Sequence, residues 1–173
     1  MQRSNQNRQI VAEFFAQGYR VSGTFSGGNR SLSDVIYDPT TDYIIVRDAY
    51  LSPITDPAKI STHYPSATLI KASLDFVITL EHEDGLRRDQ HYTLGSFSVD
   101  LSLTVPSFEI QGRLHLPYRT FDPRAFLSSE AGHFITLFDV TARCTFNPEV
   151  QYEGGAALIS RERISFLSER EPR

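Results

Sequence analysis

The feature that most constrains the fold of this chain is a short β-type pattern that occurs twice at a nearly constant spacing. Residues 19–25, Tyr-Arg-Val-Ser-Gly-Thr-Phe, recur as residues 108–114, Phe-Glu-Ile-Gln-Gly-Arg-Leu. An arginine, a hydroxyl residue and an apolar residue occupy positions 30–32 and, at the same offset, positions 119–121. Because a pattern that recurs at a fixed period encodes a recurring structural unit, the sequence predicts two copies of one small β-unit.

The repeat extends into a capped helical turn and a further strand. Residues 43–49, Tyr-Ile-Ile-Val-Arg-Asp-Ala, correspond after a two-residue slip to residues 134–140, Phe-Ile-Thr-Leu-Phe-Asp-Val. Before these strands, Ser33 and Asp122 stand at aligned positions and are predicted N-caps of short helical turns. Pro123 suits the first position of such a turn. Since what recurs is mostly core and turn chemistry, the repeat favours a structural role over a catalytic one.

Composition sets limits on partners and compartment. The chain of 173 residues has a formal charge of −4 and a pI of about 5.7, so binding to nucleic acid is not expected. Its single cysteine, Cys144, allows no intrachain disulfide. No stretch approaches the roughly 18 apolar residues of a membrane span, and the first residues lack the apolar segment of a secretion signal. We therefore expect a cytoplasmic protein without a membrane span.

The N-terminal segment has the spacing of an amphipathic helix. Ile10, Val11, Phe14 and Phe15 fall at i, i+1, i+4 and i+5, which predicts one apolar stripe on a helix over residues 5–17. After this segment the apolar residues alternate, as they do in half-buried strands.

Two long alternating segments predict a β-ribbon in the middle of the chain. Residues 67–83 and 90–105 each place apolar side chains on one strand face, with the turn signal Asp84-Gly85 between them. The predicted fold is mainly β: two tandem small β-barrel-like or sandwich-like units joined by this long ribbon, with one N-terminal α-helix. Residues 1–83 would hold the helix and first unit, and residues 84–173 the connecting strand and second unit, fused into one globule.

Four charged residues at matching positions of the repeat predict ion pairs. Arg30 with Asp48, and Arg119 with Asp139, each combine a turn arginine with an aspartate in an otherwise apolar strand. Because a buried carboxylate needs a partner, we expect structural bridges from turn to sheet, with exposure at a rim or a ligand role as alternatives.

No cofactor, metal-binding or catalytic residue is predicted. One cluster offers several potential metal ligands, but it straddles a predicted turn, where solvated charges are common; its members are Glu81, His82, Glu83, Asp84, Asp89 and His91. Residues 27–31, Gly-Gly-Asn-Arg-Ser, lack the spacing of a phosphate-binding loop, and they too are interpreted as a turn.

The apolar stripe of the N-terminal helix and exposed aromatic residues predict an interaction surface. Its candidate residues are Ile10 and Phe14 on the helix, and Tyr50 and Tyr118 at strand ends or turns. Tyrosine tolerates both a wet edge and an apolar face, and it is frequent in interfaces as well as at the rims of ordinary cores.

The first unit resembles a bacterial family of small β-domains to which no activity is attached. The resemblance rests on Gly23, on residues 30–36, Arg-Ser-Leu-Ser-Asp-Val-Ile, which are similar to the family's R-x-S-D pattern with one further residue after the arginine, and on residues 43–49, which end in Asp-Ala; it covers about residues 19–80. The second unit departs from it, since Asp122-Pro123 replaces Ser33-Asp34 and Val140 replaces Ala49. The resemblance implies an Sm-like or split-barrel fold and carries no site residue.

Together these observations predict a non-catalytic accessory, adaptor or scaffold protein. It would bind a protein partner, or itself as an oligomer, through a sheet edge or the N-terminal helix. The alternatives are an Sm-like nucleic-acid-binding protein, and a small-ligand sensor or enzyme with a cleft between the two units.

Overall fold

The computed structural model describes residues 8–88, 95–128 and 132–170. Within these ranges the predicted mainly β class is confirmed, because ten strands form a single antiparallel sheet beside two short helices. The strands are β1 (Gln9–Ala16), β2 (Tyr19–Ser26), β3 (Tyr43–Pro53), β4 (Thr62–Ile70), β5 (Phe76–Thr79), β6 (Phe97–Val105), β7 (Phe108–Leu116), β8 (Phe134–Cys144), β9 (Gln151–Ser160) and β10 (Phe166–Glu169). The helices are α1 (Leu32–Tyr37) and α2 (Pro123–Ser128).

The strand order has the same form in the two halves of the chain. Along the sheet the order is β10-β6-β7-β8-β9-β5-β1-β2-β3-β4. In each half, residues 9–79 or 97–169, a four-stranded meander is followed by a 3₁₀ turn, and a fifth strand then returns to pair with the first. The halves meet where β5 pairs with β9. That they are two separate β-units stays a prediction, because all described strands belong to one sheet.

The predicted N-terminal helix is wrong, because residues 9–16 form β1; residues 1–7 lie outside the described ranges. Gln17 and Gly18, with φ of 49° and 85°, make the two-residue turn that joins tight hairpins, and β1 therefore pairs with β2. It also pairs with β5 on its other side. Phe14 and Phe15 lie on opposite faces of β1 and are both buried, so burial on two sides produced the helix-like spacing.

The predicted ribbon is also wrong. Strand β4 ends at Ile70, a 3₁₀ turn spans Lys71–Ser73, and β5 begins at Phe76. Strand β5 pairs with β1 and β9, whereas β6 pairs with β7 and β10. All four residues of β5 are buried, so side chains on both faces of this strand lie in a core. Alternation of apolar residues along residues 67–83 therefore could not reveal the 3₁₀ turn that separates β4 from β5.

Short capped helices follow the second strand of each half. The N-cap of α1 is Ser31, two residues before the predicted Ser33; its hydroxyl accepts the Asp34 N–H at 3.0 Å while the Asp34 carboxylate accepts the Ser31 N–H. In α2 the predicted cap is confirmed, because the Asp122 carboxylate accepts N–H groups from the first turn, that of Arg124 at 2.9 Å.

Matching irregularities bend the strands of the two halves. The β2–β3 register shifts around Gly23, and the β7–β8 register shifts around Gly112. Opposite these shifts, Asp48 and Asp139 have φ of 48° and 50°. A Cβ at Gly23 would collide with the side chain of Val46, so close strand packing explains glycine at this position.

The two larger hydrophobic cores of the described residues lie on opposite faces of the central strands. The first core contains Ile10, Ala12, Phe14, Phe25, Leu32, Ile36, Ile44, Val46, Ala49, Leu74, Val77, Phe134 and Leu158. The second core contains Phe15, Ile54, Phe76, Ile78, Leu101, Leu103, Val105, Phe108, Ile110, Leu114, Ile135, Leu137, Val140, Ala142, Cys144, Ala157 and Ile159. Since side chains alternate along a strand, Val77 faces the first core while its neighbours Phe76 and Ile78 face the second.

Candidate functional site

The two outermost strands of the sheet are one candidate interaction site. Strand β4 pairs with β3 and strand β10 with β6, and within the described ranges neither has a neighbour on its other side. An unpaired edge presents backbone N–H and C=O groups that another strand can bind.

The backbone of β4 offers such groups at alternate residues. Just beyond the strand, the Lys71 N–H donates to the carbonyl oxygen of Asp42 at 2.9 Å. Because antiparallel partners alternate between bonded and non-bonded pairs, this bond turns the backbone of Leu69 toward β3. The backbone groups of Ser66 and Thr68 then point to the open side of the sheet.

The side chains at both edges leave apolar surface uncovered. Ala67 and Leu69 pack against the first core but remain partly exposed. Leu167 of β10 packs against the second core, while the adjacent Phe166 is 55% exposed. Tyr64, at the other end of β4, is also exposed. Each edge therefore combines free backbone groups with apolar side chains.

A cleft between the halves is a second candidate site. It has a volume of about 620 Å³ and lies beside the segment that follows α1, the start of β8 and the end of β9. Its lining includes Tyr37, Asp38, Lys71, Arg87, His133 and Glu162.

The cleft side chains are held by local hydrogen bonds. The Tyr37 hydroxyl donates to the carbonyl oxygen of Phe134 at 3.0 Å, and the guanidinium of Arg87 lies 4.9 Å from the centre of the Tyr37 ring. The Lys71 ammonium group donates to the carbonyl oxygen of Asp38 at 2.8 Å and to the Thr41 hydroxyl at 3.2 Å. These bonds tie α1 to β8 of the second half, and they tie the segment between α1 and β3 to the 3₁₀ turn after β4.

Burial and hydrogen bonding lower the pKa values of two cleft residues, Lys71 and Asp38. Burial lowers the pKa of Lys71, although the nearby Asp38 carboxylate opposes this shift. Hydrogen bonds from Thr40, and then from Arg30, hold the pKa of Asp38 well below its usual range. Charged and hydrogen-bonding side chains therefore line the cleft. Among the residues that the structure describes, no group of three or more potential metal ligands is found.

The four predicted bridging residues have other partners than expected. Arg30 forms its ion pair with Asp38 at 2.6 Å, and Asp48 lies 3.8 Å from His63. The reason is local, because the turn before α1 aims Arg30 at the end of that helix, where it also donates to the carbonyl oxygen of Asp34.

The second predicted bridge differs in the same way. Asp139 lies 3.4 Å from Arg113 on the neighbouring strand β7. The guanidinium of Arg119 lies over the ring of Phe97, 5.3 Å from its centre. Asp48 and Asp139 are both exposed, so neither needs a buried counterion.

The predicted interface residues fall into two groups. Ile10 and Phe14 are buried in the first core, so they are not part of a surface; this corrects the prediction that placed them on a helix. Tyr50 and Tyr118 are exposed, and Tyr50 stacks on His63 of β4, with 4.5 Å between ring centres. Their role in an interface stays a prediction.

No sequence pattern predicted that Lys71, Tyr37 and Arg87 share a cleft, or that Phe166 lies exposed at the edge. The cleft residues are far apart in sequence and follow no motif spacing. Phe166 could have been found by extending the repeat, because it stands 90 positions after Phe76.

No protein family matches the chain, and neither the curated proteins nor the solved structures include a significant match. In the described residues, no helix is long and apolar enough to cross a membrane.

Proposed function

We propose that this chain is a non-catalytic accessory or adaptor protein that binds other polypeptides along the open edges of its sheet. One observation carries the proposal: apolar side chains at both outer strands, Leu69 and Phe166, are left partly or largely exposed next to unpaired backbone groups. An added strand would pair with those groups and cover those side chains. The cleft contributes less to this proposal, since its lysine and tyrosine already bond within the chain.

A substitution at Thr68 tests the edge directly. Thr68→Pro removes an N–H group that points to the open side, and proline is tolerated on edge strands because the ladder to β3 does not use that group. Thr68→Val keeps the N–H and is the matched control. The two variants should fold alike, and equal far-UV circular dichroism checks this.

The readout is photo-crosslinking in the native cell. A photo-crosslinking amino acid replaces exposed Tyr64 on β4, and the same amino acid at exposed Phe146, outside both edge strands, is the positional control. We expect a crosslinked polypeptide from position 64 that persists with Thr68→Val and disappears with Thr68→Pro. No product at position 64, or equal products at both positions, contradicts the proposal.

Ligand sensing in the cleft is the second candidate function, and its volume of about 620 Å³ favours it. Native mass spectrometry of protein purified from its own cells should then detect a small non-covalent adduct. Ala72→Trp, which places a large side chain at the exposed cleft wall, should remove that adduct. A wild-type protein without any adduct argues against this function.

A further inference from the structure

We propose that the polypeptide bound at the β4 edge is strand β10 of a second copy of this chain, paired as β5 pairs with β9 inside one chain. This inference rests on the proposed edge function and names its partner.

The first step is the correspondence of positions in the two halves. Phe15 of β1 pairs with Phe76 of β5, and Thr104 of β6 pairs with Phe166 of β10. Because β1 and β6 are the first strands of the two halves, β5 and β10 hold equivalent places. Tyr43 of β3 pairs with Ile70 of β4, and Phe134 of β8 pairs with Ser160 of β9. Because β3 and β8 are the third strands of the two halves, β4 and β9 hold equivalent places as well. The register shifts and the left-handed aspartates described above also match. The free edges, β4 and β10, are therefore the counterparts of the two strands that join in the centre.

The central junction demonstrates what this pairing buries. Across it, Phe76 lies opposite Ile159, and Ile78 lies opposite Ala157. All four side chains belong to the second core, and the exposed fraction of each is at most 3%. The fifth strand of the first half thus completes the core of the second half.

The corresponding residues at the free ends are exposed. Phe166, the counterpart of Phe76, is 55% exposed, against 0% for Phe76. Ala67 and Leu69, the counterparts of Ala157 and Ile159, are partly exposed at the rim of the first core. Among the described residues, the first core thus lacks the cover that β5 gives to the second core, and β10, the counterpart of β5, lies at the other edge of the sheet.

The internal junction fixes the register between copies. Phe166 of one copy would lie opposite Leu69 of the next, and Ser168 opposite Ala67. Leu167 would exchange backbone hydrogen bonds with Thr68, as the position of Val77 opposite Leu158 indicates. The Arg170 N–H donates to the carbonyl oxygen of Asp100, which by alternation turns the backbone of Leu167 to the open side.

Such a contact is heterologous, because it joins two different surfaces. Each added copy offers a new β4 or β10 edge, so association continues until a ring closes or a filament grows. The contact is short, with four residues in β10, so we expect association that depends on concentration.

The register is tested by disulfide trapping of Ser168→Cys with Ala67→Cys in one chain. Directly opposed residues lie about 4.5–5.5 Å apart, which a disulfide can span. Oxidation should yield a ladder of covalent multimers that reduction removes. The control pairs Ser168→Cys with Thr68→Cys, whose side chain lies on the opposite face and should not crosslink. The native Cys144 is buried in the second core, so wild-type protein should stay unlinked.

Light scattering over a concentration series gives an independent readout. Wild-type and Thr68→Val proteins should associate, and Thr68→Pro should be monomeric. Phe166→Ala should weaken association at least about tenfold, as loss of a central aromatic contact does. A wild-type chain that stays monomeric at about 100 µM, or equal trapping of both cysteine pairs, overturns the inference. A monomeric chain that still crosslinks another protein from position 64 overturns this inference alone and leaves the proposed function standing.

Discussion

Truncating Phe76 tests how the two halves are held together. Phe76 opens β5 in the first half, yet its fully buried ring lies in the second core. The ring stacks on Phe15, with 4.2 Å between centres and 6° between planes, and meets Phe108 edge-on at 5.0 Å. Phe76→Ala therefore removes aromatic contacts to both halves.

We expect Phe76→Ala to lower the free energy of unfolding by about 3–5 kcal/mol, the usual cost of emptying a buried phenylalanine site. Stacked aromatic pairs contribute about 0.5–1.5 kcal/mol beyond their area, which favours the upper part of that range. A domain of this size has about 5–15 kcal/mol in total, so the variant should remain measurable. Phe76→Leu, which refills part of the volume, should cost less.

Urea unfolding followed by circular dichroism and tyrosine fluorescence measures the effect, since the chain has eight tyrosines and no tryptophan. Phe166→Ala is the matched control at the equivalent but exposed position, and at low protein concentration it should cost less than about 1 kcal/mol. A loss below about 1.5 kcal/mol for Phe76→Ala, or equal losses in both variants, refutes the shared core. Two separate transitions in the wild type would refute it as well.

Three further changes test local features by urea unfolding. Ser31→Ala should lower the free energy of unfolding by about 1 kcal/mol, because it removes the N-cap of α1. Ser33→Ala should leave the free energy of unfolding unchanged, since among the described atoms the buried Ser33 hydroxyl has no hydrogen-bond partner. Equal effects of the two substitutions would contradict the capping assignment. Gly23→Ala should cost about 1–3 kcal/mol because its Cβ would meet Val46, and an unchanged stability would contradict this. Burial raises the pKa of Asp75, so the folded state keeps the carboxyl proton to a higher pH than the unfolded chain does. The free energy of unfolding of the wild type, relative to that of Asp75→Asn, should therefore fall as the pH rises from about 4 through the raised pKa. A difference in free energy that stays constant or rises with pH contradicts this prediction.

Sequence patterns were sufficient where a β-type segment recurs in both halves of the chain. The matched segments around Gly23 and Gly112 lie on equivalent strands β2 and β7, and the segments after them form β3 and β8. Turn chemistry placed α2 correctly, because aspartate suits the N-cap and proline suits the first helical position.

The patterns failed where a strand is buried on both faces. In β1, apolar residues on two faces imitate a helix, and in β5 four buried residues in succession hide the preceding turn. The partner of a surface arginine depends on the exit angle of a turn, which periodicity does not encode, so the pairing of Arg30 with Asp38 could not be predicted. The cleft depends on the β5–β9 contact, and no local signal marks a pairing between residues 81 positions apart, such as Val77 and Leu158.

The central position of β5 sets the order in which the molecule opens. Its four residues lie between β1 and β9 and are buried on both faces, so solvent exchange of its amide hydrogens requires the middle of the sheet to open beneath both cores. In the outermost strands, β4 and β10, amide hydrogens can exchange with solvent once the strand separates from its single neighbour. We therefore expect amide exchange to be fastest in β4 and β10 and slowest in β5, so that the most protected segment lies far from the proposed association edges.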